Sequence, residues 1–118
     1  MTLLAKRQER SIVPRMYYIT TAIDYTNGPP HIGHAYEKVL ADVLARWHRM
    51  KGEEVYFLTG VDQHGQKVQQ TAEKLGITPQ EHVNNITGQF LALWDRLGIS
   101  NDGWASTTDP RHKACVQK

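Results

Sequence analysis

Apolar positions along the chain change spacing from strand-like runs to helix-like stripes and back. Met16-Tyr17-Tyr18-Ile19-Thr20-Thr21 is aromatic and β-branched, which predicts a buried strand. It runs straight into a loop containing Asn27-Gly28-Pro29-Pro30. From Ala35 to Met50, the residues Tyr36, Val39, Leu40, Val43, Leu44, Trp47 and Met50 recur at helical spacing, and Gly52 follows. This predicts a helix whose apolar stripe packs on the sheet. Val55-Tyr56-Phe57-Leu58-Thr59 is a continuous apolar run between Glu54 and Gly60, as in a central parallel strand covered on both faces. Strand, helix and strand form a right-handed crossover unit. The carboxyl ends of both strands then meet at one sheet edge, together with the loops carrying His31 and Asp62. Ligands bind at such edges.

A second, less regular helix is expected after Gly65, through Val68, Ala72 and Leu75 to Gly76. Thr78-Pro79-Gln80-Glu81 joins a capping box to a proline at the first helical position. Val83, Ile86, Phe90, Leu93 and Leu97 form the buried stripe of that third helix, which closes at Gly98. Asp109-Pro110 opens another, with only Arg111 to Lys118 left to build it, so the chain reads as ending inside an element. Trp47, Trp94 and Trp104 read as core residues. The fold class predicted is α/β, a Rossmann-like parallel sheet with flanking helices.

Composition adds limits. With 118 residues, 40% hydrophobic and 22% charged, the chain has the make-up of one ordinary globular domain. No apolar run is long enough to span a membrane, and the first fifteen residues lack the apolar stretch of a signal peptide. A soluble, cytoplasmic protein is expected, with neither membrane nor DNA among its partners. The one cysteine, Cys115, excludes an internal disulfide and a multi-cysteine zinc site. The net charge of +2 argues for no partner, since Lys6, Arg7, Arg10 and Arg15 lie in a segment that reads as a flexible leader over residues 1–15.

The chemistry concentrates at His31-Ile32-Gly33-His34. Pro29 and Pro30 forbid helix upstream, so the helix begins near Ile32. Its unpaired N–H groups and positive dipole end then lie beside both imidazoles, which makes an anion site. For an arbitrary sequence, His-x-x-His is more often a surface pair or a metal site. Asp62 lies just past the second strand and faces the same crevice, unless it caps the helix after Gly65. Glu37 and Asp42, five positions apart, lie on different faces of the first helix and read as solvated or capping residues.

The run Ala22-Ile23-Asp24-Tyr25-Thr26-Asn27-Gly28-Pro29-Pro30-His31-Ile32-Gly33-His34 resembles the signature of class I aminoacyl-tRNA synthetases, whose hallmark tetrapeptide is His-Ile-Gly-His. Within that class, Tyr25, Asn27-Gly28, Ala41 to Arg46, and Gly60-Val61-Asp62-Gln63-His64-Gly65-Gln66-Lys67 are similar to bacterial methionyl-tRNA synthetases. The resemblance implies ATP-dependent activation of methionine to methionyl-adenylate, followed by transfer to tRNA(Met). By it, His31 and His34 contact the phosphates, and Gly33 lets adenine and ribose lie against the backbone. Asp62 binds the methionine ammonium, while Ala22, Ile23 and Tyr25 line the thioether pocket. His64 either lines that pocket or bonds to loop backbone. Mg²⁺ accompanies ATP, and zinc belongs to a part of the family architecture that this sequence does not contain.

Two positions depart from the family pattern: Gln63 stands where glutamate is usual, and Asp24 where many relatives have proline or an apolar residue. Neither is expected to touch a core role. The family's lysine-rich loop is also absent, and Lys38, Lys51, Lys67 and Lys74 are misplaced to replace it; most should lie on solvated faces. Residues 16–118 thus read as the first part of a catalytic nucleotide-binding domain, incomplete at the C-terminus. The alternatives are another class I synthetase (for leucine, valine, isoleucine or cysteine), a related nucleotidyltransferase, or a non-catalytic truncated ATP-binding fragment.

Overall fold

A computed structural model describes residues 16–118, so the leader read over residues 1–15 lies outside the described residues. The elements are β1 (Tyr17–Tyr25), α1 (Ile32–Met50), β2 (Val55–Asp62), α2 (Gln66–Leu75), α3 (Pro79–Leu97), β3 (Gly103–Ser106) and α4 (Pro110–Val116). The three strands form one parallel sheet in the order β1-β2-β3. This is the expected α/β architecture, with one strand more than the hydrophobic pattern revealed. β3 has only four half-buried residues and no alternation to detect. It pairs from Leu58↔Gly103 to Val61↔Ser106. Gly60 admits it: a Cβ there would stand 2.0 Å from the Ala105 carbonyl oxygen.

The core lies on one face of the sheet. Phe57, Thr59 and Val61 alternate along β2 and are all buried. Phe57 packs with Ala41 and Ala45 of α1, and Val61 with Ile86, Phe90 and Trp94 of α3. The opposite face carries Tyr18 and Tyr56, stacked and solvent-exposed, so the expected cover on both faces is not present among the described residues.

α1 also reverses the expectation. Its buried side is Lys38, Ala41, Asp42 and Ala45, whereas Tyr36, Val39, Leu40, Val43, Leu44, Trp47 and Met50 are exposed. The small alanines let the helix approach Phe57 closely, and each buried charge has partners. Asp42 accepts from the Ser100 backbone N–H at 2.7 Å, from the Ser100 hydroxyl, and from Arg46 Nε at 2.6 Å. It is therefore neither solvated nor a cap. Burial would raise its carboxyl, but the Ser100 and Arg46 hydrogen bonds outweigh that and hold it below the ordinary range. Trp47 is likewise not core; Trp94 is buried and Trp104 half-buried.

α3 begins as the sequence dictates, with Thr78 Oγ1 accepting from the Glu81 N–H at 3.2 Å and Pro79 at the first position. Its stripe is His82, Val83, Ile86, Phe90 and Trp94, with Leu97 exposed. The helices after Gly65 and Asp109 also form where expected.

Candidate active site

The site lies at the carboxyl end of the sheet. β1 and β2 reach it in register, with Tyr25 opposite Asp62, and Thr26 donates its N–H to the Asp62 carbonyl at 3.0 Å. The loops that follow the two strands are therefore neighbours, as the crossover requires.

α1 starts at Ile32, with His31 as its N-cap. Nδ1 of His31 accepts from the Gly33 N–H, and Nδ1 of His34 accepts from the His31 N–H, both at 3.1 Å. This is a capping box made from two imidazoles. Each ring accepts at Nδ1, so each carries its proton at Nε2. The rings stack with centroids 3.8 Å apart, and Phe90 meets His34 edge-on at 5.0 Å. His31 is exposed and can present Nε2–H outward, whereas His34 is partly buried. Burial holds the His34 imidazole below its ordinary value, against the attraction of Asp24.

Behind His34 lies a cluster of Asp24, Glu37 and Lys38, residues for which the sequence pattern predicts solvated or incidental positions. Thr21 and Ala22 of β1 share the space opposite Thr59 of β2, a β-bulge, because pairing resumes at Ile23↔Gly60 after Thr20↔Leu58. The bulge turns the Ala22 backbone toward α1: its N–H donates to Glu37 Oε1 at 2.9 Å, and its carbonyl accepts from Lys38 Nζ at 3.1 Å. Lys38 Nζ also donates to Asp24 Oδ1 at 2.9 Å and Glu37 Oε2 at 3.0 Å, so all three ammonium protons have acceptors. Lys38 is fully buried, not solvated, and Asp24 is 4% exposed. Burial pushes the Asp24 carboxyl upward against the pull of Lys38. For Glu37 burial also raises, but the Ala22 N–H and Lys38 outweigh it and hold the carboxyl low. A lone carboxylate inside a strand signals a buried cation elsewhere, and that signal was available at Asp24.

The remaining candidates divide. Tyr25 reaches Gly65, where an added Cβ would lie 2.0 Å from its hydroxyl, so it bridges the two loops. Asp62 does not cap α2, whose N-cap Gly65 receives no side-chain bond. Its Oδ1 accepts from the His64 N–H at 3.2 Å and the Thr107 hydroxyl at 3.3 Å. Ala22, in the bulge, and Ile23, just after it, are exposed. His64 Nε2 lies 3.3 Å from the Thr107 carbonyl and lines a cavity of about 250 Å³ with His112 and Lys113, toward α4. Gln63, expected to be incidental, is 8% exposed and ties β2 to α3 and the β3–α4 loop through Thr87, Thr107 and Thr108.

Residues 17–118 match the family model for class I tRNA synthetases (M). The chain is 51% identical over 104 residues to the methionine-tRNA ligase of Deinococcus radiodurans, covering 87% of this chain and 15% of that protein. It is 49% identical over 105 residues to the methionine-tRNA ligase of Streptomyces coelicolor, covering 88% and 20%. The structure superposes with a TM-score of 0.83 on Mycobacterium tuberculosis methionyl-tRNA synthetase in complex with methionyl-adenylate, at 41% identity over 85% of this chain and 20% of that one. The chain thus spans only about 15–20% of the length of the relatives it matches. With nearly its whole described length inside the family model, and His31-Ile32-Gly33-His34 capping α1, the chain belongs to the class I tRNA synthetases of the methionine type.

Proposed function

We propose that this chain supplies the first part of the catalytic nucleotide-binding domain of a cytoplasmic methionine-tRNA ligase. The observation that supports it most is the intact tetrapeptide capping a helix at the carboxyl end of a parallel sheet, within about half-identical methionine-tRNA ligases. In this reading a methionine carboxylate oxygen attacks the α-phosphorus of ATP, the bond to the bridging oxygen breaks, and pyrophosphate leaves. A tRNA(Met) ribose hydroxyl then attacks the acyl carbon and releases AMP. His31 donates its Nε2–H to a phosphate oxygen, the N-terminus of α1 attracts the same anion, and His34 joins from behind. Gly33 keeps the backbone low beneath the nucleotide. Asp62 pairs with the methionine ammonium and Ala22, Ile23 and Tyr25 line its side-chain site, whereas His64 bonds to the Thr107 carbonyl. In this reading Mg²⁺ would arrive with ATP, held by its phosphate oxygens, and no residue of this chain is assigned to zinc.

The test is methionine-dependent exchange of pyrophosphate into ATP by the full-length protein carrying this segment. Exchange is expected with methionine alone among the amino acids. His31→Ala should lower the rate about 100-fold, with the methionine KM near wild type. Exchange driven by a different amino acid would overturn the substrate, and a large rise in methionine KM would overturn the role of His31.

A further inference from the structure

We propose that Asp24, held in place by Lys38, is a positioning residue that keeps the His34 proton on Nε2 and so leaves Nδ1 to close the cap of α1. This rests on the reading of His34 as part of the phosphate site. Asp24 Oδ1 stands 4.0 Å from His34 Nε2, on the side of the ring opposite the nitrogen that accepts from His31. The same Oδ1 takes the Lys38 ammonium at 2.9 Å, which fixes its position beside the ring; Oδ2 is buried with no hydrogen-bond partner. The carboxylate charge therefore stands 4.0 Å from the ring nitrogen in a buried setting, where it is poorly screened. A proton on Nδ1 instead would face the His31 N–H, donor against donor, and would break the cap.

The cluster is arranged to hold that carboxylate still. Lys38 has no freedom, since its three protons are shared among Asp24, Glu37 and the Ala22 carbonyl, and its ammonium lies 5.6 Å from the Trp94 ring. The groups facing His34 are Asp24 from β1, His31 at the N-cap, Glu37 and Lys38 from α1, and the uncharged Phe90 ring from α3. Asp24 is the largest charge effect among them that favours the protonated ring. Replacing a buried ion pair with neutral groups of similar shape is often harmless to folding. A pair kept only for stability would thus leave His34 unchanged when both charges go.

The chain labelled with ¹⁵N-histidine is titrated by long-range ¹H–¹⁵N NMR without ATP or methionine, so the outcome does not depend on whether the protein activates methionine. Wild-type His34 is expected as a single Nε2–H tautomer. Asp24→Asn should yield a tautomer mixture and move the His34 midpoint to lower pH. Should Asp24→Asn fail to fold because Lys38 is left unpaired, Asp24→Asn/Lys38→Met removes both charges and should move His34 the same way, by less. An Nδ1–H tautomer in the wild-type chain overturns the proposal, as does a wild-type His34 tautomer and midpoint in either folded variant.

Discussion

At single residues, the site depends on how closely backbone and rings approach. The family resemblance makes Gly33 a glycine for the sake of a nucleotide, but its first neighbour is the His31 ring: a Cβ would lie 3.0 Å from Cε1 and 3.1 Å from Nδ1. That ring is the free end of a side chain and can yield, at the cost of the cap. Gly33→Ala should therefore cost about 1 kcal/mol, the usual worth of an N-cap. Gly65 is less forgiving. It has φ +125°, and its Cβ would fall 2.0 Å from the Tyr25 hydroxyl. Gly65→Ala combines backbone strain with a displaced aromatic ring and should cost about 3 kcal/mol or more in urea unfolding. A smaller loss at position 65 than at 33 would contradict this account. His31 and His34 were legible because two prolines and helical periodicity place the start of α1 without further information. Asp24 and Lys38 were not, because their pairing depends on the bulge at Thr21 and Ala22, and a one-residue irregularity leaves no periodic trace.

Among the elements, position and type were readable and orientation was not. The periodicity of α1 is real, yet the stripe it marks is exposed rather than buried on the sheet. Periodicity says that one side of a helix is apolar but not which neighbour covers it. The inward side reads as polar only if the partners of Lys38 and Asp42 are unknown; those partners come from β1 and from Ser100, 58 residues downstream of Asp42. The orientation predicts an inverted mutational pattern. Val43→Lys, on the apolar side but 56% exposed, should change stability by no more than about 0.5 kcal/mol in the chain. Ala45→Leu, conservative on paper, inserts bulk where exposure is 0% and Phe57 is in contact, and should cost roughly 1–3 kcal/mol. Urea midpoints of the two variants decide it: if Val43→Lys is the more damaging, α1 packs as its periodicity suggests. The same dependence on partners hid β3, whose place is set by Gly60 and by Asp102, which accepts the Phe57 N–H at 2.8 Å.

For the molecule as a whole, the site imposes its own pH dependence on stability. His34 is held below the ordinary imidazole value of 6.5 by burial, so as pH falls below 6.5 the unfolded chain binds a proton that the folded chain resists. Protons then favour unfolding, and the contribution of this group is lost progressively through the folded value. Asp42 and Glu37 act in the same direction further down. Their carboxyls are held below 3.8 and 4.5 respectively, so their stabilisation is present above those values and lost as pH falls beneath them. Asp24 opposes this: its carboxyl is raised above 3.8, so the folded chain keeps a proton that the unfolded chain has already released. Two regimes result. Between pH 7 and 5 the carboxylates of Asp42 and Glu37 stay ionised in both states, so of these four groups His34 is the one whose proton uptake lowers the urea midpoint, with Asp24 acting in the opposite sense. His34→Asn retains an acceptor on α1 for the His31 N–H but has nothing to protonate, so it should flatten the decline between pH 7 and 5 while leaving the loss below pH 4 in place. A variant whose midpoint still falls as in the wild type over the upper range would show that His34 is not held neutral by its surroundings. The two-imidazole cap would then tolerate a charge that its geometry, with Nδ1 already accepting from His31, leaves no room for.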